Sequence, residues 1–199
     1  MFKTMMRTAA VVAFGLAGQV AFAGGHAATV WALDAEASRL AFGSVKKEDI
    51  GEVHNFETIT GMVEADGTTT ISIDLTSVQT NIDIRNERIG EHVFKGITTA
   101  SLSTKIDLEA LEKMTVGETD LIDVEGTLTF LGAKIAVDAE MFIARLSDTK
   151  VLVNTNDLIF LSAEEAGINA GLDKLMELAS LPSITRTAPV TMRLVFDKQ

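Results

Sequence analysis

The stretch DLIDVEGTLTF-LGA-KIAVDAEMFIARL, residues 120–146, decides how the rest of the chain is read. Between Asp120 and Phe130, Ile122, Val124, Leu128 and Phe130 fall on one side, with Asp123, Glu125, Thr127 and Thr129 on the other. Successive side chains of an extended strand point to opposite faces, so this period of two predicts a strand with one wet and one apolar face. Lys134–Leu146 repeats the pattern, with Ile135, Val137, Ala139, Met141 and Ile143 in phase. Leu131-Gly132-Ala133 leaves room only for a tight turn, and the two runs predict an antiparallel hairpin.

Working outward, Thr70–Leu75 places Ile71, Ile73 and Leu75 on one side, and Val190, Met192, Leu194 and Phe196 mark a final strand. Arg39–Lys46, Phe56–Glu64, Ala100–Asp107 and Lys150–Asn154 are shorter candidates, with turn chemistry at Ala65-Asp66-Gly67 and Ser147-Asp148-Thr149. About eight strands or more at this spacing predict an all-β barrel or sandwich. Two short helices interrupt them. Ile82–Phe94 carries Ile82, Ile89 and Val93 on one helical face, which should dock on the barrel. Ser162 through Glu165 has capping-box form, Leu172, Leu175, Met176 and Ala179 follow at helical spacing, and Pro182 closes the segment. With no Pro-rich linker, charge block or repeat, residues 24–199 read as one domain.

Composition narrows the functional classes. The chain has 199 residues, 47% of them hydrophobic, which excludes intrinsic disorder. It has no cysteine, which excludes a disulfide scaffold, thiol catalysis and iron–sulfur ligation. A formal charge of −11 argues against nucleic acid and anionic lipid surfaces as partners. Residues 1–23 read as a cleaved secretory signal. Lys3 and Arg7 precede the apolar Thr8–Phe22, which ends in the small-x-small sequence Ala21-Phe22-Ala23. That run is short for a membrane helix, no later run is long enough to span, and the expected compartment is the periplasm.

The segments Trp31-Ala32-Leu33-Asp34, Ile73-Asp74-Leu75-Thr76-Ser77-Val78-Gln79-Thr80, Arg85-Asn86-Glu87-Arg88 and Glu91-His92-Val93-Phe94 resemble those of the YceI-like family. Gly126-Thr127-Leu128-Thr129, Val151-Leu152-Val153-Asn154-Thr155 and Pro189-Val190 extend the likeness over nearly all of the mature chain. The resemblance implies a lipocalin-like antiparallel barrel that binds a polyisoprenoid or similar long apolar lipid. Ile97-Thr98-Thr99-Ala100-Ser101-Leu102 and Leu131-Gly132 depart from the family's usual sequences after the helix and in the hairpin turn.

Candidate chemistry is sparse. The three histidines, His26, His54 and His92, show no metal-binding spacing. His54 follows the loop-like acidic stretch Glu48–Glu52; with Asp49 and Glu52 it could hold a divalent ion, but a solvated acidic loop is the simpler reading. Gly43-Ser44 lies within a strand and no nucleophile elbow is present. Glu164 and Glu165 follow the capping Ser162, where a helix N-terminus accounts for them. No phosphate loop or dinucleotide fingerprint occurs, so neither catalysis nor a cofactor or metal is expected.

A better candidate is a stripe on the first helix: Arg85, Arg88 and His92, spaced three then four, which could meet a polar or phosphorylated head group. Acids at the same spacings, Glu87–Glu91 and Glu91–Lys95, allow a plain solvated face instead. Periodicity does not say whether a closed barrel is hollow or packed. With the resemblance, the expected apolar lining is Phe42, Ile71, Ile73, Val124, Leu128, Phe130, Val137, Met141, Ile143, Met192, Leu194 and Phe196. The expected function is a non-catalytic periplasmic carrier of an isoprenoid or quinone-like lipid. An interaction module with a packed barrel and an enzyme on a lipid-like substrate are the rivals. Lipid identity, delivery partner and oligomeric state stay open, a homodimer included.

Overall fold

A computed structural model describes residues 29–199; the expected signal segment 1–23 and His26 lie outside them. The elements in chain order are β1 (Thr29–Leu33), β2 (Arg39–Lys46), β3 (Ile50–Phe56), β4 (Ile59–Glu64), β5 (Thr68–Asp74) and β6 (Val78–Gln79). Then come α1 (Asp83–Arg88), a π turn over Ile89–Val93, β7 (Thr99–Lys105), α2 (Leu108–Lys113), β8 (Thr119–Phe130) and β9 (Ala133–Ser147). β10 (Lys150–Thr155), β11 (Ile159–Ser162), α3 (Asn169–Ala179) and β12 (Thr187–Lys198) complete the chain.

The strands close an eight-stranded antiparallel barrel, in the order β1-β4-β5-β7-β8-β9-β10-β12 and back to β1. Closure is made by Trp31↔Lys198, Ala32↔Asp197 and Leu33↔Phe196 on one edge of β1, and by Trp31↔Val63 and Ala32↔Met62 on the other. Within the eight-stranded ring every strand has a neighbour on each side, so the ring itself has no open edge. At the other end of the barrel the wall is continued by β2, β3 and β6 beyond β12, and by β11 on its opposite edge.

The β8–β9 hairpin forms as its alternation requires, from Thr119↔Ala144 to Phe130↔Ala133. Leu131 (φ 50°) and Gly132 (φ 85°) make its two-residue turn. Both carry the left-handed conformation that matches strand twist, which Gly accepts freely and Leu at a cost of about 1–2 kcal/mol. Ile135, Val137, Met141 and Ile143 are buried on the inner face of β9, as are Val190, Met192, Leu194 and Phe196 on β12.

Several local expectations are corrected. Ile50–Phe56 is a strand, paired from Leu40↔Phe56 to Lys46↔Ile50, and not an acidic loop. The Phe56–Glu64 run bends between two strands at Glu57 and Thr58. The first helix is α1 followed by the π turn, and Ile82, expected on the docking face, is 45% exposed while Ile89 and Val93 are buried. Ser162 caps a turn rather than a helix, its Oγ accepting from the N–H groups of Glu164 and Glu165. α3 begins only at Asn169, after Gly167 adopts φ 67°. A third helix, α2, stands where the sequence pattern predicts none. Its N-cap is Asp107, whose Oδ1 accepts from the N–H groups of Glu109 at 2.9 Å and Ala110 at 3.1 Å.

α3 lies against the π turn at Gly171. A Cβ there would stand 2.6 Å from the His92 carbonyl oxygen and 2.8 Å from Val93 Cα, both backbone atoms that cannot swing aside. Gly171→Ala is therefore expected to push α3 off the barrel and lower stability by about 1–3 kcal/mol. Thermal unfolding together with amide exchange of Asn169–Ala179 checks this; an unchanged midpoint and unchanged protection would show that the close approach is not required.

Candidate functional site

Closure supplies a ring of inward side chains, and the ring is not filled. A cavity of about 490 Å³ occupies the end of the barrel framed by β2, β3, α1, the π turn and α3. A smaller one of about 270 Å³ lies toward the other end, beside α2. Leu102, Val137, Ile159 and Met192 line both and form the partition between them.

Of the twelve residues expected to line a pocket, Phe42, Ile73, Leu128, Phe130, Val137 and Met192 face the larger cavity. Ile71, Val124, Met141, Ile143, Leu194 and Phe196 face the smaller one. Strand periodicity thus predicts a single lining set where the fold has two chambers. Phe42 and Phe130 of that set are joined along the larger cavity by an aromatic run through Phe56 and Phe94, which the expected lining does not include. Ring centroids lie 5.3 Å apart for Phe42–His54, 5.4 Å for Phe42–Phe56, 6.2 Å for Phe56–Phe94 and 5.9 Å for Phe94–Phe130. Phe94 comes from the end of the π turn and Phe56 from the β3 bend, where no alternation marks an inward residue.

The arginine–histidine stripe is divided. Arg85 and Arg88 are on the wall of the larger cavity. Among the described residues of that wall His92 is missing; its Nε2 lies 3.7 Å from the Glu91 carboxylate instead. The physical reason is the π turn, whose wider winding carries His92 off the face that regular helical spacing would give it. Arg85 is committed to the protein: Nη1 donates to Glu52 Oε2 at 2.8 Å and Nη2 to the Thr80 carbonyl at 2.6 Å. Lys46 Nζ donates to the other Glu52 oxygen at 2.9 Å. Burial alone would raise the Glu52 carboxyl, but the hydrogen bonds from Lys46 and Arg85 outweigh it and hold the group below its ordinary value.

His54 sits two residues along β3 from Glu52, on the same face, and is only 5% exposed. Its Nε2 lies 3.1 Å from Ser44 Oγ, while Nδ1 is buried with no hydrogen-bond partner. Burial first, then the Arg85 charge, holds the imidazole below its ordinary value of 6.5, so it is neutral at pH 7. A Ser–His pair invites comparison with an activated nucleophile, but that arrangement needs a third group orienting the imidazole through its other nitrogen. Nδ1 has none here, and Glu52 is held by Lys46 and Arg85. Among the described residues, no three His, Cys, Asp or Glu are grouped to hold a metal ion, and no helix is long and apolar enough to cross a membrane.

The model of the YceI-like domain matches residues 31–194, most of the chain. The chain belongs to the YceI-like family. Among solved structures, a polyisoprenoid-binding domain from Saccharophagus degradans, implicated in plant cell wall breakdown, is 34% identical. It superposes with a TM-score of 0.85, over 86% of this chain and 100% of that one. BcnA of Burkholderia cenocepacia shares the YceI-like fold at 15% identity and a TM-score of 0.63, covering 82% of this chain and 98% of its own. No curated protein matches the sequence. The partnered Arg85 and the buried Ser44–His54 pair are thus features of a YceI-like barrel interior.

A neutral buried imidazole makes stability depend on pH in a defined direction. In the unfolded chain His54 takes up a proton below its ordinary value of 6.5, whereas the folded protein resists it. Stability is therefore complete above that value and falls as the pH drops toward the lowered folded value. Thermal midpoints from about pH 7.5 to about pH 5 should decline more steeply for the wild type than for His54→Phe, and equal slopes would show that His54 is not the group responsible.

Proposed function

We propose that the protein is a non-catalytic carrier that holds a long apolar lipid, of isoprenoid or quinone type, inside the barrel. We also propose that it works in the periplasm after residues 1–23 are removed. The observation that carries the reading is the larger cavity, whose volume of about 490 Å³ is lined mainly by Ile, Leu, Val, Phe and Ala side chains. Ligand pockets run from roughly 300 to 1,000 Å³ and are predominantly apolar. The family relation adds a ligand class, since the Saccharophagus relative is a polyisoprenoid-binding domain. The export signal rests on Lys3, Arg7 and Ala21-Phe22-Ala23 in the sequence.

The mechanism is burial. Apolar walls replace the water around the lipid tail, and enclosing about ten of its carbons gives a gross gain near 8 kcal/mol. Ordering a flexible chain offsets part of that. Little polar recognition is then required, which suits a wall made mainly of aliphatic and aromatic side chains, where Lys46 and Arg85 are both paired with Glu52. A void of this size supports the carrier reading over an interaction module with a packed barrel.

Native mass spectrometry of the exported protein, with extraction and identification of the bound molecule, should find one long-chain lipid per barrel. Leu128→Arg, which puts a charge on the cavity wall, should abolish uptake. Val137→Phe, which fills the partition with an apolar ring, should reduce it while retaining the fold at a cost of about 1–3 kcal/mol. Undiminished stoichiometry in both folded variants would overturn the interior as the binding site.

A further inference from the structure

The wall of the larger cavity is basic in an acidic chain. It holds Lys46, Arg85, Arg88 and Arg186 against one carboxylate, Glu52, although the chain as a whole carries −11. Three of those cations are answered by an acid: Lys46 and Arg85 both pair with Glu52, and Arg186 Nη2 donates to the Asp173 carboxylate. Arg88 differs. Among the described residues it has no acidic partner, and its one hydrogen bond is a long one, from Nη1 to the Leu178 carbonyl at 3.5 Å.

The position of Arg88 explains that bond and leaves the rest of the group unused. Leu178 belongs to the last turn of α3, where carbonyls lack partners within the helix and a cation is favoured by the helix dipole. This accounts for Nη1 alone. Nε and Nη2 have no protein partner, yet neither is sealed from solvent as Arg85 Nε is. The two share one edge of the guanidinium, whose parallel N–H groups match two oxygens of a carboxylate or phosphate. Ile84, four residues before Arg88 on the same face of α1, also lines the cavity and is 51% exposed, which puts this edge at the opening. Glu87 and Glu91 are absent from the described wall, so no carboxylate of this helix competes there.

We propose that the Nε–Nη2 edge of Arg88 binds an anionic end, carboxylate or phosphate, of the apolar chain held in the larger cavity. The inference rests on the carrier reading above and narrows its ligand to an acid-ended chain rather than a neutral quinone. The apolar wall takes the tail, while Arg88 at the opening takes the charge where water still reaches it, which limits the cost of desolvating the pair. Of the helix stripe, Arg88 alone carries the recognition; Arg85 stays with Glu52.

Farnesol, farnesoic acid and farnesyl phosphate share one tail, and inorganic phosphate carries the anion without it. Each is titrated at neutral pH into wild type and into Arg88→Met, which keeps an apolar stem and removes the charge. In wild type both acids should bind at least about tenfold more tightly than farnesol, and inorganic phosphate should bind far more weakly than farnesyl phosphate. In Arg88→Met the advantage of both acids over farnesol should vanish. Arg88→Lys, which keeps the charge without the two-pronged edge, should retain part of it. Comparing ligands within each protein cancels any change in fold or tail binding, and the wild-type comparison needs no variant to fold. A role confined to holding α3 would lower the thermal midpoint of Arg88→Met and leave the acid-to-alcohol ratio unchanged, which would overturn the proposal. Equal wild-type affinities for the acids and farnesol, or inorganic phosphate bound as tightly as farnesyl phosphate, would overturn it too. If farnesol and both acids all fail to bind, the carrier reading itself falls.

Discussion

The closure of β1 between β4 and β12 is the constraint on which everything else in this protein rests. Five residues of β1 complete a ladder in which every strand of the ring has two neighbours. In a sandwich, side chains from two sheets must meet to hold the layers together. In a barrel the backbone ladder itself holds the wall, so the interior need not be filled. Trp31 reinforces the joint. It is 1% exposed, and the Arg145 guanidinium and Lys198 ammonium approach its ring centroid at 5.2 Å and 5.6 Å. Each cation over the indole adds about 0.5–1 kcal/mol or more as water is excluded.

The two ends of the barrel consequently differ. The end near Trp31 encloses the smaller cavity, with α2 beside it. The opposite end carries the larger cavity, framed by α1, the π turn and α3, and here Gly171 sets how closely α3 can approach. Four side chains, Leu102, Val137, Ile159 and Met192, stand between the chambers. None is bulkier than methionine, and Met, being unbranched, can adopt other rotamers at little cost. The length of tail the interior accepts is thus governed by a few side chains in the partition and not by the backbone.

Electrostatics divide the acidic exterior from the cavity. The chain as a whole carries −11, yet the larger cavity's wall holds Lys46, Arg85, Arg88 and Arg186, and there the Glu52 carboxylate is answered by two of those cations, Lys46 and Arg85. Half-buried charges of this kind are tolerable only when paired and hydrogen-bonded. Beside them lies the neutral Ser44–His54 pair, whose Nδ1 is buried without a hydrogen-bond partner.

The barrel was legible because its strands obey a local rule. The β8–β9 alternation, the Leu131-Gly132 turn and the inner phase of β12 need nothing beyond period two and turn chemistry, so the sequence by itself determined an all-β chain, its long hairpin and most of its inward residues. Elements whose signal is not local were missed or misplaced. β1 is too short to show a period. β3 reads as a loop because Glu48, Asp49 and Glu52 crowd its start, although pairing with β2 makes it a strand. His92 left its stripe because tertiary packing against α3 accompanies a π turn that regular spacing does not foresee. Only the tertiary structure decided that the inward residues surround two chambers, and that His54 from the acidic stretch joins Ser44 and Arg85 on one wall. The reason is physical: periodicity records which way a side chain points along its own strand, whereas a cavity and its polar contacts arise from strands brought together across the barrel.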